Sequence, residues 1–287
     1  MYERIVAGTD LSPTAKRATD RAFLLAGKVD AEFILLHAGV DPGAPLEQLG
    51  NEYGARVVAV RGPAAEVLVS ETQRLEGDLL VIGSVGMRGA RRFMLGNVPN
   101  KVSHHAPTDL LIVKTDTEPR FSGLYSTLLV GVDGSPTSIR ALDAAGQLAA
   151  TLGLQPTVVC AYEPLSASER HALRADGSDA IAQWSAGRTM ADTPAEFRWR
   201  IAAATEADDV LERAMDHAAK FGVEADARAV QGAPSEVLLD MAEKEHFDLL
   251  VVGSVGMTGA KRFMLGNVPH RLSHHAPIDL LIMKTAA

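Results

Sequence analysis

DLLVIGSVGMRGARRFMLGNVPNKVSHHAPTDLLIVKT, residues 78–115, returns as DLLVVGSVGMTGAKRFMLGNVPHRLSHHAPIDLLIMKT, residues 248–285, with 30 of the 38 positions identical. Such self-similarity at a fixed spacing marks a duplicated unit. Each copy runs from an apolar segment through a glycine-rich stretch and a helical pattern to a second apolar segment. The upstream ends match too: RIVAGTDLSPTAKRATD from Arg4 and TLLVGVDGSPTSIRALD from Thr127 share Gly8/Gly131, Asp10/Asp133, a Ser-Pro-Thr triplet and Arg17/Arg140. Between these ends the halves share little, so the loop after the fourth strand has drifted least, and we read that as a functional demand on it.

The predicted strands are RIVAG, FILLHA, RVVAV, DLLVIG and DLLIVK in the first half, and TLLVGV, TVVCAY, ADARAV, DLLVVG and DLLIMK in the second. Short, nearly continuous apolar runs alternating with helical patterns predict parallel strands covered on both faces. The fold class is therefore α/β: two tandem doubly wound, Rossmann-like domains. Ser12-Pro13 and Ser135-Pro136 place an N-cap residue before a proline at the first helical position. The Pro-, Gly- and Ser-bearing linker from Thr117 to Ser126 divides a domain over 1–117 from one over 126–287. After its second strand the first half has only DPGAPLEQLGNEYG, read as too short for a crossover helix with its loops. The second half has an insertion of about 60 residues at 163–222, holding Trp184, Trp199 and a long helical stretch. It is read as extra covering for the second sheet in preference to a lid or docking element.

Length (287 residues), 47% hydrophobic and 22% charged residues suit about two globular domains. The single cysteine, Cys160, excludes an intrachain disulfide framework, and no stretch reaches the ~20 apolar residues of a membrane span. MYERIVAGTD has no signal-peptide pattern, so a cytoplasmic location without a membrane partner is expected. A net charge of −8 argues against a general nucleic-acid surface, yet a single phosphate can still be held by backbone N–H groups.

Ligands of open parallel sheets bind beyond the carboxyl ends of the strands, where strand order reverses. There each half carries the same glycine spacing: Gly83, Gly86 and Gly96-Asn97-Val98, then Gly253, Gly256 and Gly266-Asn267-Val268. Glycines let the backbone approach a ligand and form an anion-binding nest, and the helix opening at Asn97 turns its N–H groups to the same phosphates. Asn97 and Asn267 are read as N-caps, phosphate contacts or both. Ser84 and Ser254 are candidates for a phosphate contact or a turn. Asp10 and Asp133, just past the first strands, are assigned to adenine or ribose, with an Asx-turn as the alternative. Gly62-Pro63 and Gly232-Ala233-Pro234 flank the expected adenine side. Arg91, Arg92, Lys261 and Arg262 read as a solvated face, His104-His105 and His274-His275 as structural, and Met87, Met94, Met257 and Met264 as packing.

These residues resemble the universal stress protein family over nearly the whole chain, as a tandem member of its ATP-binding branch. The resemblance rests on strand-Asp-x-Ser at Asp10 and Asp133 and on G-x2-G-x9-G followed by a small polar residue. It implies a five-stranded parallel sheet of order 3-2-1-4-5 in each half and pairing through the last strand. DLLIVKT and DLLIMKT would then form an internal pseudo-dimer, with a homodimer expected in addition. It also implies that Asp10 and Asp133 meet adenosine, while Gly83, Gly86, Gly96, Asn97, Val98 and their counterparts hold ribose and phosphates. The implied cofactor is ATP or another adenine nucleotide, with Mg2+ as an optional companion. The family pattern closes on Gly-Ser or Gly-Thr; both copies here close on Gly-Asn, without that hydroxyl.

The sequence thus favours a stress-response nucleotide-binding module that signals to a partner it does not identify. No catalytic residue is assigned. The alternatives are a slow ATPase, a cyclic AMP binder and a nucleotide-free dimeric scaffold. No G-x4-G-K-[ST] loop, HIGH-type or SGG-type signature supports turnover, and no G-x-G-x-x-G supports a dinucleotide carrier.

Overall fold

The computed structural model describes residues 2–85, 95–115, 123–162, 198–256 and 265–284, with helix backbone alone over 198–206. The first half runs β1 (Arg4–Thr9), α1 (Pro13–Val29), β2 (Glu32–Ala38), α2 (Ala44–Tyr53), β3 (Arg56–Val60), α3 (Ala64–Arg74), β4 (Leu79–Gly83), α4 (Asn97–His105) and β5 (Asp109–Val113). The second runs β6 (Leu128–Val132), α5 (Pro136–Leu152), β7 (Thr157–Tyr162), α6 (Arg198–Ala219), β8 (Asp226–Gln231), α7 (Pro234–Lys244), β9 (Leu249–Gly253), α8 (Asn267–His275) and β10 (Asp279–Met283).

The ten described strands form one sheet of order β3-β2-β1-β4-β5-β10-β9-β6-β7-β8. Within each half the pairs are parallel and follow 3-2-1-4-5. At the centre β5 and β10 pair antiparallel, with Leu111 opposite Leu281. Both central strands are buried throughout, so their leucines and isoleucines each contribute roughly 1.5–3 kcal/mol on leaving water. One apolar layer packs α1, α5 and α6 against the sheet, and the other packs α3, α4, α7 and α8; each layer draws residues from both halves.

The main helices begin as the sequence dictates. Ser12 Oγ accepts from Ala15 N at 3.1 Å and Ser135 Oγ from Ser138 N at 3.2 Å, with proline at the first helical position of each. Two expectations about the middle regions meet different outcomes. DPGAPLEQLGNEYG does form a crossover helix, α2, contrary to the length argument. Asp41 Oδ1 accepts from Gly43 N at 2.8 Å, and Gly43 (φ 63) and Gly54 (φ 59) turn the chain sharply at both ends. Those left-handed conformations are open to glycine, so three turns of helix fit where longer loops would not. In the second half, Val210, Leu211, Ala214 and Ala218 of α6 are buried in the core, so this part of the insertion covers the sheet. Trp184 lies outside the described residues, as does the side chain of Trp199.

At the seam the halves exchange equivalent contacts. Lys114 N donates to Asp279 Oδ1 at 2.8 Å and Lys284 N to Asp109 Oδ1 at 2.9 Å. The ammonium of Lys114 reaches Ser273 O at 2.9 Å in α8, and that of Lys284 reaches Ser103 O at 2.6 Å in α4. Each cation therefore meets carbonyls in the last turn of the opposite half's helix, where the helix dipole favours positive charge. Burial still pushes the Lys284 ammonium down to about 8.

Candidate functional site

In each half the strand order reverses between the first and fourth strands, and the candidate residues gather at that carboxyl edge. Asp10 follows β1; its Oδ1 accepts from Ser12 N at 3.0 Å. Asp133 follows β6 and accepts from Ser135 N at 3.0 Å in the same way. Both carboxylates thus form the Asx-turn that starts the next helix, which occupies one oxygen of each. The other oxygen of Asp133, Oδ2, faces the second glycine of the loop. A methyl group on Gly256 would stand 2.7 Å from it, so the first-strand acid and the fourth-strand loop lie against each other.

The fourth-strand loop closes on itself. Gly96 N donates to Ser84 O at 2.9 Å, and Gly266 N to Ser254 O at 2.8 Å. Whatever path the intervening residues take, the loop begins and ends at one point, and α4 and α8 start there. Ser84 is 2% exposed, and its hydroxyl accepts from Thr115 N at 3.1 Å, tying the loop to the end of the fifth strand. Ser254 is buried equally, with its N–H on Met283 O at 2.8 Å. The serines therefore hold the loop's neck.

The described glycines of the loop act through space and not through backbone conformation. Gly96 and Gly266 have φ −65° with extended ψ, open to any residue. Side chains there would meet the neck: a methyl on Gly266 would lie 3.3 Å from Ser254 O. Gly96 and Gly266, not the asparagines, are the N-caps, which overturns the reading of Asn97 and Asn267 as caps. Asn97 and Asn267 are first helical residues, exposed, and no side chain caps either helix. With Pro99 and Pro269 lacking an N–H, the N–H groups of Asn97 and Val98, and of Asn267 and Val268, open the two helices with no side-chain cap. A helix of nine residues with uncapped N–H groups and a positive dipole end suits an anion.

The two copies differ at the first glycine. A methyl on Gly83 would make ordinary contact with Thr115 at 3.4 Å, whereas one on Gly253 would stand 2.8 Å from the carbonyl carbon of Thr137. The hydroxyl of Thr137 also bonds Val255 O, as does that of Ser135 at 3.4 Å. In the second half the start of α5 therefore leans on the loop, a contact the Ser-Pro-Thr triplet signalled only as a helix start. Gly62 and Gly232 sit at φ 153° and 150° after β3 and β8, which turn geometry alone requires. Gly86, Arg91, Arg92, Lys261 and Arg262 lie outside the described residues, as do Met87, Met94, Met257 and Met264.

The histidines meet across the α4–α8 contact: the ring centroids of His104 and His270 are 5.2 Å apart, those of His270 and His274 4.8 Å, and His274 Nε2 lies 3.2 Å from Asn100 Oδ1. Burial, then the neighbouring His270, holds His104 and His274 below the usual histidine range. Among the described residues no group of three or more His, Cys, Asp or Glu has the arrangement of a metal site. No described helix is long and apolar enough to cross a membrane.

Comparison with known proteins agrees with this architecture. The model of the universal stress protein family matches residues 1–56, 47–114 and 124–284. A universal stress protein of Mycobacterium tuberculosis is 30% identical over 162 residues, 56% of this chain and 97% of its own length. The crystal structure of a universal stress protein from Archaeoglobus fulgidus superposes with a TM-score of 0.64 at 16% identity, covering 99% of both chains. A universal stress protein solved in complex with cAMP is 31% identical and covers 56% of this chain and 99% of its own, with a TM-score of 0.40. With a family model matched in both halves and the same fold over its whole length, the chain belongs to the universal stress protein family.

Proposed function

We propose that each half, residues 1–117 and 126–287, holds an adenine nucleotide, ATP foremost, at the carboxyl edge of its sheet, and that the bound state is read by a partner during stress. The observation that carries this reading is the convergence, twice in one chain, of an Asx-turned aspartate and a pinned loop that delivers an uncapped helix start. Asp10 and Asp133 take the adenosine end. Gly83, Gly86, Gly96, Asn97 and Val98, with Gly253, Gly256, Gly266, Asn267 and Val268, take ribose and phosphates; Ser84 and Ser254 contribute by holding the neck. Mg2+ would be held chiefly by the phosphates, with Asp10 or Asp133 as the nearby carboxylate. No residue is assigned as a general base beside a phosphate, and the reading is of binding and not of turnover, in the cytoplasm. The pairing strands of the two halves are spent on each other, so a homodimer would use the outer strands β3 and β8 or a helical face.

The test is calorimetric titration of the full chain with ATP, ADP, AMP and cyclic AMP, after denaturing a sample to identify any nucleotide carried through purification. The decisive variant is Asn97→Asp, Asn267→Asp: acid at a first helical position favours the helix but repels phosphate. Loss of ATP binding with an undiminished melting temperature supports the reading. No heat with any of the four nucleotides would leave an interaction scaffold as the better account.

A further inference from the structure

Away from the nucleotide edge, the groove between α1 and α5 contains a cavity of about 460 Å³ at the seam. Its origin is visible from the pseudo-symmetry of the chain. On the first-half side of the groove, the buried carboxylate of Asp279 accepts from Lys114 N at 2.8 Å and from Tyr125 Oη at 3.0 Å. Arg21 completes that site: its Nε lies 3.3 Å from Asp279 Oδ2, its guanidinium carbon stands 4.8 Å over the Tyr125 ring, and the side chain is 12% exposed. It also donates to Gly123 O.

The equivalent residues across the seam repeat the aspartate, its strand N–H and the tyrosine, but neither Arg21 nor the Gly123 carbonyl. Asp109 accepts from Lys284 N at 2.9 Å and lies 3.4 Å from Tyr2 Oη. Arg140, the counterpart of Arg17, reaches Asp109 Oδ1 at 3.4 Å. The counterpart of Arg21 is Ala144. Tyr2, Asp109, Arg140 and Ala144 all line the cavity, whose remaining wall includes Leu25, Val29, Leu148 and Leu249. Asp78 and Asp143 add acid to the lining, against Arg140 and Lys284. The cavity therefore has an aspartate, an aromatic ring and an apolar wall in the arrangement that encloses a guanidinium on an alkyl stem elsewhere in the same molecule.

We propose that this cavity binds a small organic cation, a guanidinium or ammonium group on a short alkyl chain, with the head against Asp109 and the Tyr2 ring and the chain along Leu25 and Leu148. Aspartate supplies charge-assisted acceptance, the ring face attracts the cation, and the leucines cover the methylenes. An anion would meet Asp109, and a neutral chain of equal length would leave its carboxylate without the added cation.

Calorimetric titration of the full chain with n-butylguanidinium chloride tests this, alongside n-pentanoate and n-pentanol. The expected result is saturable binding of one butylguanidinium per chain at millimolar concentration, at least tenfold tighter than either control. Ala144→Arg builds the cation into the chain and abolishes the binding. Arg21→Ala opens the equivalent site and raises the stoichiometry from one to two; if that variant does not fold, Ala144→Arg decides alone. No saturable heat with the wild type, equal binding of n-pentanol, or undiminished binding to Ala144→Arg overturns the proposal.

Discussion

Asp279 and Asp109 open equivalent strands and accept an N–H from the opposite half, yet Arg21 encloses one while the other borders a cavity beside Ala144. The fourth-strand loops show the same kind of divergence: α5 presses on Gly253, whereas nothing presses on Gly83 beyond ordinary contact. Backbone register and neck hydrogen bonds coincide in the two halves; side-chain filling does not. Duplication has kept what the sheet needs to pair and released what lies against it.

The largest effect expected from breaking this comparison is at the filled site. Arg21→Ala removes a largely buried cation from a carboxylate that is 7% exposed and should cost about 3 kcal/mol in urea unfolding. Arg140→Ala, whose side chain is 38% exposed, should cost below about 1 kcal/mol. Equal losses would show that the two sites are energetically alike.

Lys284 gives the next effect, through pH. Its folded value of about 8 lies below the ordinary 10.5, so between these values the unfolded chain binds more protons. Stability should therefore rise with pH across this window, by roughly 3 kcal/mol at most. Lys284→Met should flatten that rise in unfolding curves recorded at increasing pH; an unchanged slope would assign it to other groups.

The two loops sharpen the comparison further. Gly253→Val forces a side chain onto Thr137 and should lose about 1–3 kcal/mol, while Gly83→Val should lose under about 1 kcal/mol. Thermal melts of the two single variants check this, and a larger loss at Gly83 would contradict the described packing.

The smallest effect concerns the histidines. His104 and His274 are held low, mainly by burial, so below the usual histidine range the unfolded chain gains protons that the folded chain resists. Stability should fall on acidification through about pH 6. Asn100→His, which copies His270 into the first half, should steepen that fall; a shallower one would mean the cluster does not repel protons as a group.

Much of this was legible in the residues. DLLIV and DLLIM mark buried strands because no polar residue interrupts them, and Asp10 and Asp133 sit two residues before serines they could engage in an Asx-turn. The repeat also exposes the exchange of Arg21 for Ala144, but its meaning depends on a contact between residues over a hundred positions apart. The asparagines misled because capping preference favours Asn over Gly, while the neck bond to Ser84 O places Gly96 at the cap. α2 escapes a count of loop length that ignores the turn at Asp41–Gly43, although Leu46, Gly50 and Tyr53 carry a helical spacing on its buried face.

The central position of β10 also bears on how the chain is made. Its partner β5 is complete at Val113, and β10 ends at Met283, about 170 residues later. At ~5–20 residues per second, a nascent chain carries an open, largely apolar strand edge for roughly 10–30 s before its own partner emerges. Two ribosomes on one message bring such edges close together, and β5 of one chain can then pair with β5 of the next. The seam that makes the finished molecule a single sheet is thus also the point at which synthesis must be kept from joining two molecules.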